Sequence, residues 1–396
     1  MSENPWLTIV GLGEDGPEGL SAASCKALEE AEVIMGAERH LSLLPALTAD
    51  TITWPVPFAE GIPLLLEHRG RKTVALASGD PFWHGAGTSL TKHLDRSEWQ
   101  TLPAPSTMSL AAAALGWPLE STTTLGLHAT PFARLRPRLA NGQRAIVTLR
   151  DGEAVLTFAT WLTEIGFGAS TLHVLEALGG PRQRIRETRA DAFDLDTIQH
   201  PVCVAMESAG GPALTSVGGK EDAFFDNDGQ ITKRPVRALT LSALAPLPGE
   251  HLWDIGGGSG SIAIEWLLAH PTTQATSVEI DPTRAERIAQ NAANLGADRL
   301  TVVTGAAPDV LEGLPAPNAV FIGGGISEEM LRTVWDKLPE SARLVANAVT
   351  LEAEVLLANW HANKGGDLLR IELAQSKPLG RKRGWKSSFP IVQWSV

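Results

Sequence analysis

Cysteine occurs only twice, at Cys25 and Cys203, with no Cys-x-x-Cys pair and no companion histidines at ligand spacing. That spacing excludes a disulfide framework and a zinc site, and both thiols read as small buried apolar side chains. Tyrosine is absent, although tryptophan occurs 12 times. No run approaches the roughly 18 consecutive apolar residues of a bilayer-crossing helix; the most apolar stretch, around Leu110 to Trp117, is far shorter. The opening Met1-Ser2-Glu3-Asn4-Pro5 lacks a basic segment followed by an apolar one, so no secretory leader is expected and the chain reads as cytoplasmic. Basic residues are the minority: Lys plus Arg number 33 against 45 Asp plus Glu, a net charge of −12. Such a surface argues against an extended face for nucleic acid or an anionic membrane, while leaving room for a local basic pocket.

What is present is ordinary globular material. Hydrophobic residues make up 43% and charged residues 20%, which excludes a disordered chain. At about 150 residues per domain, the 396 residues allow two or three domains. In the first two hundred residues, strand signals at Trp6–Val10, Thr73–Ala77, Ala145–Leu149, Thr171–Leu175 and Val202–Ala205 alternate with helical windows at Ser21–Ala31, Ser109–Leu115 and Ala154–Glu164. This alternation predicts an α/β fold with a substantially parallel sheet. Glycines and proline across Glu207–Gly219 then interrupt all periodicity. They divide the chain into a domain over 1–208, a linker over 209–218 and a domain over 219–396.

The second half repeats the α/β rhythm. A helix is predicted at Pro235–Leu244, a strand at His251–Ile255, a helix at Ser261–Ala269, a strand at Ala275–Ile280 and a helix at Pro282–Leu295. In that last helix Ala285, Ile288, Ala289, Ala292 and Leu295 share one face, Asp281 caps its start, Pro282 takes the first position and Gly296 stops it. Strand signals at Leu300–Val303, Ala319–Ile322, Arg343–Ala346, Leu368–Leu373 and Pro390–Val396 complete a sheet of about seven strands. The halves share no motif order, so the chain is a fusion and not a duplication.

The strongest local motif is Asp254-Ile255-Gly256-Gly257-Gly258-Ser259-Gly260, where an apolar strand turns into a helix. Gly256, Gly258 and Gly260 allow positive φ and close approach of a ligand to the backbone. Ser261 stands where the third glycine of a dinucleotide fingerprint would fall. Glu279 follows at the end of the next strand, where a carboxylate accepts both hydroxyls of a ribose. A loop with no room for pyrophosphate, Asp254 to hold a cationic amine through water and Glu279 for a ribose together suit S-adenosylmethionine. The alternative is a tight strand-to-helix turn with a surface glutamate. Methyltransferases of exocyclic amino groups on bases carry N-P-P-Y or D-P-P-Y after the fourth strand. Here that segment is Phe321-Ile322-Gly323-Gly324-Gly325, so bare backbone at Gly324 and Gly325 either leaves space for a bulky flat acceptor or merely ends a strand.

In the first half, Gly11-Leu12-Gly13-Glu14-Asp15-Gly16 matches G-x-G-x-x-G after a strand. Pro17 and Gly19 delay the helix, and Glu14 and Asp15 would repel a pyrophosphate, so a dinucleotide is disfavoured. Ala77-Ser78-Gly79-Asp80-Pro81-Phe82-Trp83-His84-Gly85 opens at a strand end, where α/β sheets bind ligands, and it also reads as a simple turn. His84 is a candidate base or a solvated loop histidine. In Pro103-Ala104-Pro105-Ser106-Thr107-Met108-Ser109 the hydroxyls can cap a helix or touch a ligand.

Gly11-Leu12-Gly13, Gly36-Ala37-Glu38-Arg39-His40-Leu41, Leu76-Ala77-Ser78-Gly79-Asp80-Pro81 and Leu175-Glu176-Ala177-Leu178-Gly179-Gly180 resemble the tetrapyrrole (precorrin) methylases of cobalamin synthesis, in particular the member that methylates carbon 5. From Gly219-Lys220-Glu221-Asp222-Ala223-Phe224 and Thr232-Lys233-Arg234-Pro235-Val236-Arg237 onward, the chain resembles the decarboxylating partner that methylates carbon 15. The resemblance covers nearly the whole sequence. It implies an N-terminal two-subdomain tetrapyrrole-methylase fold and a C-terminal Rossmann-like seven-stranded methyltransferase fold, each with its own S-adenosylmethionine site. The implied reaction is methylation of precorrin-6B at carbons 5 and 15 with loss of carbon dioxide from the ring C acetate, giving precorrin-8X.

By position in the family, Gly11, Gly13, Gly79, Asp80, Ser106, Thr107 and Met108 fall in the first cofactor region. The chain departs from the family there: G-x-G-P-G-D is Gly-Leu-Gly-Glu-Asp-Gly, and P-G-[IV]-S-S is Ala-Pro-Ser-Thr-Met. In the second half the acidic residue often found before Ala-Pro is Ala306, so a backbone group must serve the adenine. The nucleophile of such a reaction is an electron-rich carbon that needs no metal and no catalytic serine or cysteine, and positioning supplies most of the acceleration. Arg381-Lys382-Arg383-Gly384-Trp385-Lys386 is the densest basic segment. Arg381 and Arg383 are candidates for binding substrate carboxylates, against the reading of a solvated basic loop. The expected partners are a small-molecule tetrapyrrole, with no nucleic acid and no membrane, and further copies of the chain, since the family associates. A nucleic-acid methyltransferase and a non-catalytic tetrapyrrole carrier are the rival readings.

Overall fold

A computed structural model describes residues 5–396; residues 1–4, on which the expectation about a leader rests, lie outside the described residues. The chain forms two compact units. One comprises the chain up to Thr130 with Arg138–Pro212, the other Pro131–Pro137 with Ala213–Val396.

The first unit holds two five-stranded sheets. In the first, β1 (Leu7–Leu12), β2 (Val33–Gly36), β3 (Asp50–Thr53), β4 (Thr73–Ser78) and β5 (Trp99–Leu102) lie in the order β3-β2-β4-β1-β5, all parallel. β1 is buried along its whole length and β4 along all but Ser78, the pattern of parallel strands covered on both faces. The second sheet contains β6 (Thr123–Gly126), β7 (Arg144–Leu149), β8 (Thr171–Glu176), β9 (Arg184–Arg189) and β10 (Val202–Glu207), ordered β6-β7-β10-β8-β9. Here the expectation of a substantially parallel sheet is corrected. Only β6 and β7 run parallel, because β10 inserts antiparallel between β7 and β8, and β8 turns back into β9 through the short Ala177–Gln183 connection.

The second unit is a seven-stranded sheet of β11 (His251–Ile255), β12 (Gln274–Glu279), β13 (Thr301–Thr304), β14 (Ala319–Ile322), β15 (Arg343–Ala348), β16 (Asp367–Ile371) and β19 (Ile391–Ser395), ordered β13-β12-β11-β14-β15-β19-β16. β11 to β15 are parallel, and β19 runs antiparallel to both its neighbours. The helix Pro282–Leu295 starts on the Asp281 carboxylate, which accepts from the Thr283 and Arg284 amides at 2.8 and 3.3 Å, and ends at Gly296 with φ 76°. Its buried Ala285, Ile288, Ala292 and Leu295 seat it on the sheet. Three of the tryptophans, Trp335, Trp360 and Trp394, pack ring on ring within about 6 Å in one core cluster, which accounts for part of the tryptophan excess. Between β16 and β19, β17 (Ala374–Leu379) and β18 (Lys382–Ser387) form a two-stranded hairpin of their own. The basic segment Arg381–Lys386 therefore lies largely on a strand, which bears against the rival reading of a solvated basic loop. Its missing signal is physical: almost every residue of the hairpin is exposed, so no alternation of apolar and polar residues marks it.

Candidate functional site

In the second unit, the residues singled out from sequence gather at the carboxyl ends of β11, β12, β13 and β14. Gly256, Gly258 and Gly260 hold φ of 75°, 60° and 74°, the left-handed region open to residues without a Cβ. The loop returns to the sheet through the Gly256 amide on the Val278 carbonyl at 2.9 Å. Buried Glu279 accepts the Gly258 amide at 2.8 Å on one oxygen and the Asp281 amide at 3.1 Å on the other. Asp254 is buried on β11, where its carboxylate accepts from the Ala263 amide at 3.3 Å and the Ser277 hydroxyl at 3.4 Å. Burial, aided by the charge of Glu279, pushes its pKa up to about 7.

The neighbouring loops complete a concave edge. The Gly305 amide bonds the Glu279 carbonyl at 2.9 Å, which brings exposed Ala306 beside the ribose candidate, with its own carbonyl accepting the Val310 amide at 3.2 Å. A Cβ on Gly256 would meet the Gly324 amide nitrogen at 3.1 Å, whereas Cβ atoms on Gly324 and Gly325 would meet nothing. Two further residues escaped the sequence reading. Ile280, directly after Glu279, is an isoleucine 68% exposed at a strand end, its apolar side chain open to solvent. Ser259, 1% exposed inside the glycine loop, has a hydroxyl with no protein partner. An unpaired buried hydroxyl calls for a polar group to complete it, so the loop fits an S-adenosylmethionine-like ligand.

Arg381 and Arg383 lie on the hairpin, outside the seven-stranded sheet. The Arg383 guanidinium donates to the Ser376 hydroxyl at 2.9 Å, and Trp385 beside it is 78% exposed.

In the first unit the glycines act differently. A Cβ on Gly11 would stand 1.9 Å from the Gly79 carbonyl oxygen and 2.5 Å from the Ala104 nitrogen, and one on Gly79 would stand 2.7 Å from the Pro105 oxygen. Backbone bonds lock the three loops: Gly79 amide to Leu12 carbonyl at 3.0 Å, and Ala104 amide to Gly79 carbonyl at 3.1 Å. Gly13 lies beside the Asp15 carboxylate. Asp80 accepts the Phe82 amide at 2.9 Å, which makes it the hinge of a turn. Ser106 caps the helix Thr107–Leu115 by accepting the Ser109 amide at 3.1 Å, with Thr107 half-buried behind it. The Met108 side chain belongs to an apolar core with Ile146, Leu175 and Cys203, so only its backbone faces the loops. His84 holds φ 56° with its ring against Gly126; partial burial, and then His128, lower its pKa.

A third group at this sheet edge was not foreseen as a site. The buried Glu14 carboxylate takes Arg39 on one oxygen and Arg182 on the other, the latter at 3.0 Å. Arg39 also reaches the Ser78 hydroxyl at 3.0 Å and the His40 Nε2 at 2.8 Å. Glu14, Arg39 and Arg182 stand on three strand-end segments far apart in the chain, so no local spacing brings them together.

Among the described residues no helix is long and apolar enough to cross a membrane. The tetrapyrrole (corrin/porphyrin) methylase family matches residues 6–194, and the precorrin methyltransferase domain family matches residues 223–396. Fold and matches together define a methyltransferase built from two domains of different architecture. The chain is 47% identical over 398 residues to a precorrin-6Y C(5,15)-methyltransferase [decarboxylating] of Sinorhizobium sp, covering 99% of this chain and 96% of that one. It is 38% identical over 402 residues to a protein of the same name from Mycobacterium tuberculosis, covering 98% and 99%. A cobalt-precorrin-6B C(15)-methyltransferase (decarboxylating) of Salmonella typhimurium is 29% identical over 179 residues, 43% of this chain and 92% of that one. The chain belongs to the family of decarboxylating precorrin-6Y C(5,15)-methyltransferases.

Proposed function

We propose that the chain methylates precorrin-6B at carbons 5 and 15 and removes carbon dioxide from the ring C acetate, giving precorrin-8X. In this reading residues 1–208 carry out the carbon-5 transfer, residues 219–396 carry out the carbon-15 transfer and the decarboxylation, and 209–218 link them. The observation that carries it is the 47% identity over nearly the full length of the Sinorhizobium protein, which is named for both carbons and the decarboxylation. The division of labour draws support from the Salmonella relative, which matches 43% of the chain and is named for carbon 15 and decarboxylation alone.

S-adenosylmethionine, when bound, supplies an electrophilic methyl group; the chain's residues bind and orient. We place one donor in each unit. In the second, Glu279 takes the ribose hydroxyls, Asp254 faces the cationic amine, Ile280 covers the base, and a main-chain group near Ala306 serves the adenine edge. Gly256, Gly258 and Gly260 admit the ligand to the backbone, and the open space at Gly324 and Gly325 admits the tetrapyrrole. In the first, the locked loops at Gly11, Gly13, Gly79, Asp80 and Ser106 to Met108 form the floor. Arg381 and Arg383 meet acceptor carboxylates. Holding the reacting carbons near contact distance accounts for most of the rate. The exposed Leu379, Trp385 and Phe389 of the hairpin region support self-association into a homo-oligomer, and the cytoplasm is the proposed place of action.

Mass spectrometry of the acceptor after turnover by the full chain tests this reading. Two methyl groups gained with one carbon dioxide lost is the expected product. A product with one methyl group, or with both methyl groups and the acetate intact, contradicts it.

A further inference from the structure

Arg39 and Arg182 converge from separate strand ends, the helix Glu38–Ser42 after β2 and the turn after β8, onto the single carboxylate of Glu14 in the loop after β1. The approach is built in: a Cβ on Gly180 would stand 2.6 Å from the Cβ and the carbonyl oxygen of Glu14, so only glycine lets the turn that carries Arg182 come this close. One buried carboxylate compensates one guanidinium, and a positive charge is left over. The surrounding histidines do not add to it or cancel it. His40 is buried and its pKa is pushed down to about 4 by burial and then by Arg39, while His200 is lowered by burial and by the charges of Arg39 and Arg182. Of the other acids flanking these residues, Asp15 turns its carboxylate to Gly13 and Gly19 and Glu38 is exposed, while Asp151 is held by Arg150 at 2.7 Å. The Arg182 side chain nonetheless remains 52% exposed and that of Arg39 27%, with one Arg182 nitrogen reaching Gln199 Oε1 at 3.5 Å. A partly desolvated guanidinium pair that still faces solvent is a receptor for a carboxylate, and it adjoins the Gly11–Gly13 and Ser78–Gly79 loops.

We propose that Arg39 and Arg182, held by Glu14, form a carboxylate-binding subsite of the first unit that grips one acetate or propionate of the tetrapyrrole and turns the ring toward the first methyl donor. The proposal rests on the assignment of carbon-5 transfer to that unit. The donor's own carboxylate has the same chemistry, so the test must separate the two.

The test uses the full chain with Arg182→Ala and Arg182→Lys. It follows acceptor KM and kcat for each methylation and donor binding by calorimetry, at low and high salt. The expected result for Arg182→Ala is an acceptor KM for carbon-5 transfer raised about tenfold, with kcat and donor affinity within about twofold. The gap should narrow as salt screens the charge, and Arg182→Lys should recover part of it. Arg182→Lys preserves the ion pair to Glu14 and carries the same KM test if the alanine variant does not fold. Weakened donor binding with an unchanged acceptor KM would assign the clamp to the donor and overturn the proposal. Unchanged kinetics in both variants would make the pair a purely structural bridge. Failure of the underlying reading looks different: the unsubstituted chain would transfer no methyl group to carbon 5, or Arg182→Ala would impair carbon 15 in its place.

Discussion

The parallel sheet of the first unit and the largely parallel sheet of the second end in glycine-rich loops that do different physical work. In the second unit Gly256, Gly258 and Gly260 are conformational: their positive φ turns the chain at the end of β11 and folds the loop over buried Glu279, which accepts the Gly258 amide, while open space lies at Gly324 and Gly325. In the first unit Gly11 is steric and Gly79, at φ 50°, is steric and conformational at once: they let three loops lie backbone on backbone, with Cβ positions as close as 1.9 Å to a neighbouring oxygen. The second site is built from charge and exposed main chain, the first from interlocked main chain with its charge in the Glu14, Arg39 and Arg182 group. Similar-looking glycine motifs thus shape a turn over a buried carboxylate in one case and pack three loops together in the other.

Substitutions sharpen that contrast, beginning with the largest effect. Gly11→Ala drives a Cβ into backbone atoms that cannot step aside, and it should cost the first unit about 2–3 kcal/mol and reduce carbon-5 transfer at least about a hundredfold, leaving carbon-15 transfer intact. Gly324→Ala enters open space, so thermal unfolding should match the parent chain while the acceptor KM of the second site rises. A Gly11→Ala chain as stable and active as the parent would erase the distinction.

Next in size, Glu279→Gln places an amide where the Gly258 N–H needs an acceptor. Calorimetry should show donor affinity at the second site reduced about ten- to a hundredfold, with the first site unchanged.

A smaller effect follows pH. Asp254, raised to about 7 by burial, is half protonated near neutrality, and a cationic ligand favours its ionised form. Donor affinity at the second site should therefore fall as pH drops below 7, by about tenfold per unit at most, and Asp254→Asn should flatten the profile. Without ligand the sign reverses for stability: the folded pKa lies above the unfolded one, so the contribution of Asp254 is most favourable at acid pH and diminishes as pH rises from about 4 to 7. A donor affinity that rises on acidification would contradict this placement of the amine. Smallest of all, Arg381→Ala with Arg383→Ala should raise the acceptor KM about threefold at low salt and have no effect at high salt.

Much of this was legible in the order of residues. β11, β14 and the helices Ser261–Ala269 and Pro282–Leu295 fall where periodicity and caps place them, because strong apolar strands, an Asp-Pro start and a glycine stop all act locally. β3 and β5 were missed because they are mostly exposed or only half-buried, so no apolar pattern builds up, and buried β2 follows closely on the helical window over Ser21–Ala31. The antiparallel insertion of β10 is a matter of long-range pairing, on which local propensity is silent. In the sites, Asp254 and Glu279 could be read from their spacing to the glycines. Ile280 could not, because an apolar residue at a strand end looks like core until its exposure is known. The pairing of Glu14 with Arg182 spans 168 residues and leaves no trace in either motif.

The central claim is that one polypeptide binds two donors, in pockets of unrelated construction. Calorimetric titration of the full chain with S-adenosylmethionine tests it directly, repeated on the Glu279→Gln chain. The account predicts two molecules bound per chain, with one of the two selectively weakened by the substitution. A stoichiometry of one, or equal weakening of both, would contradict it.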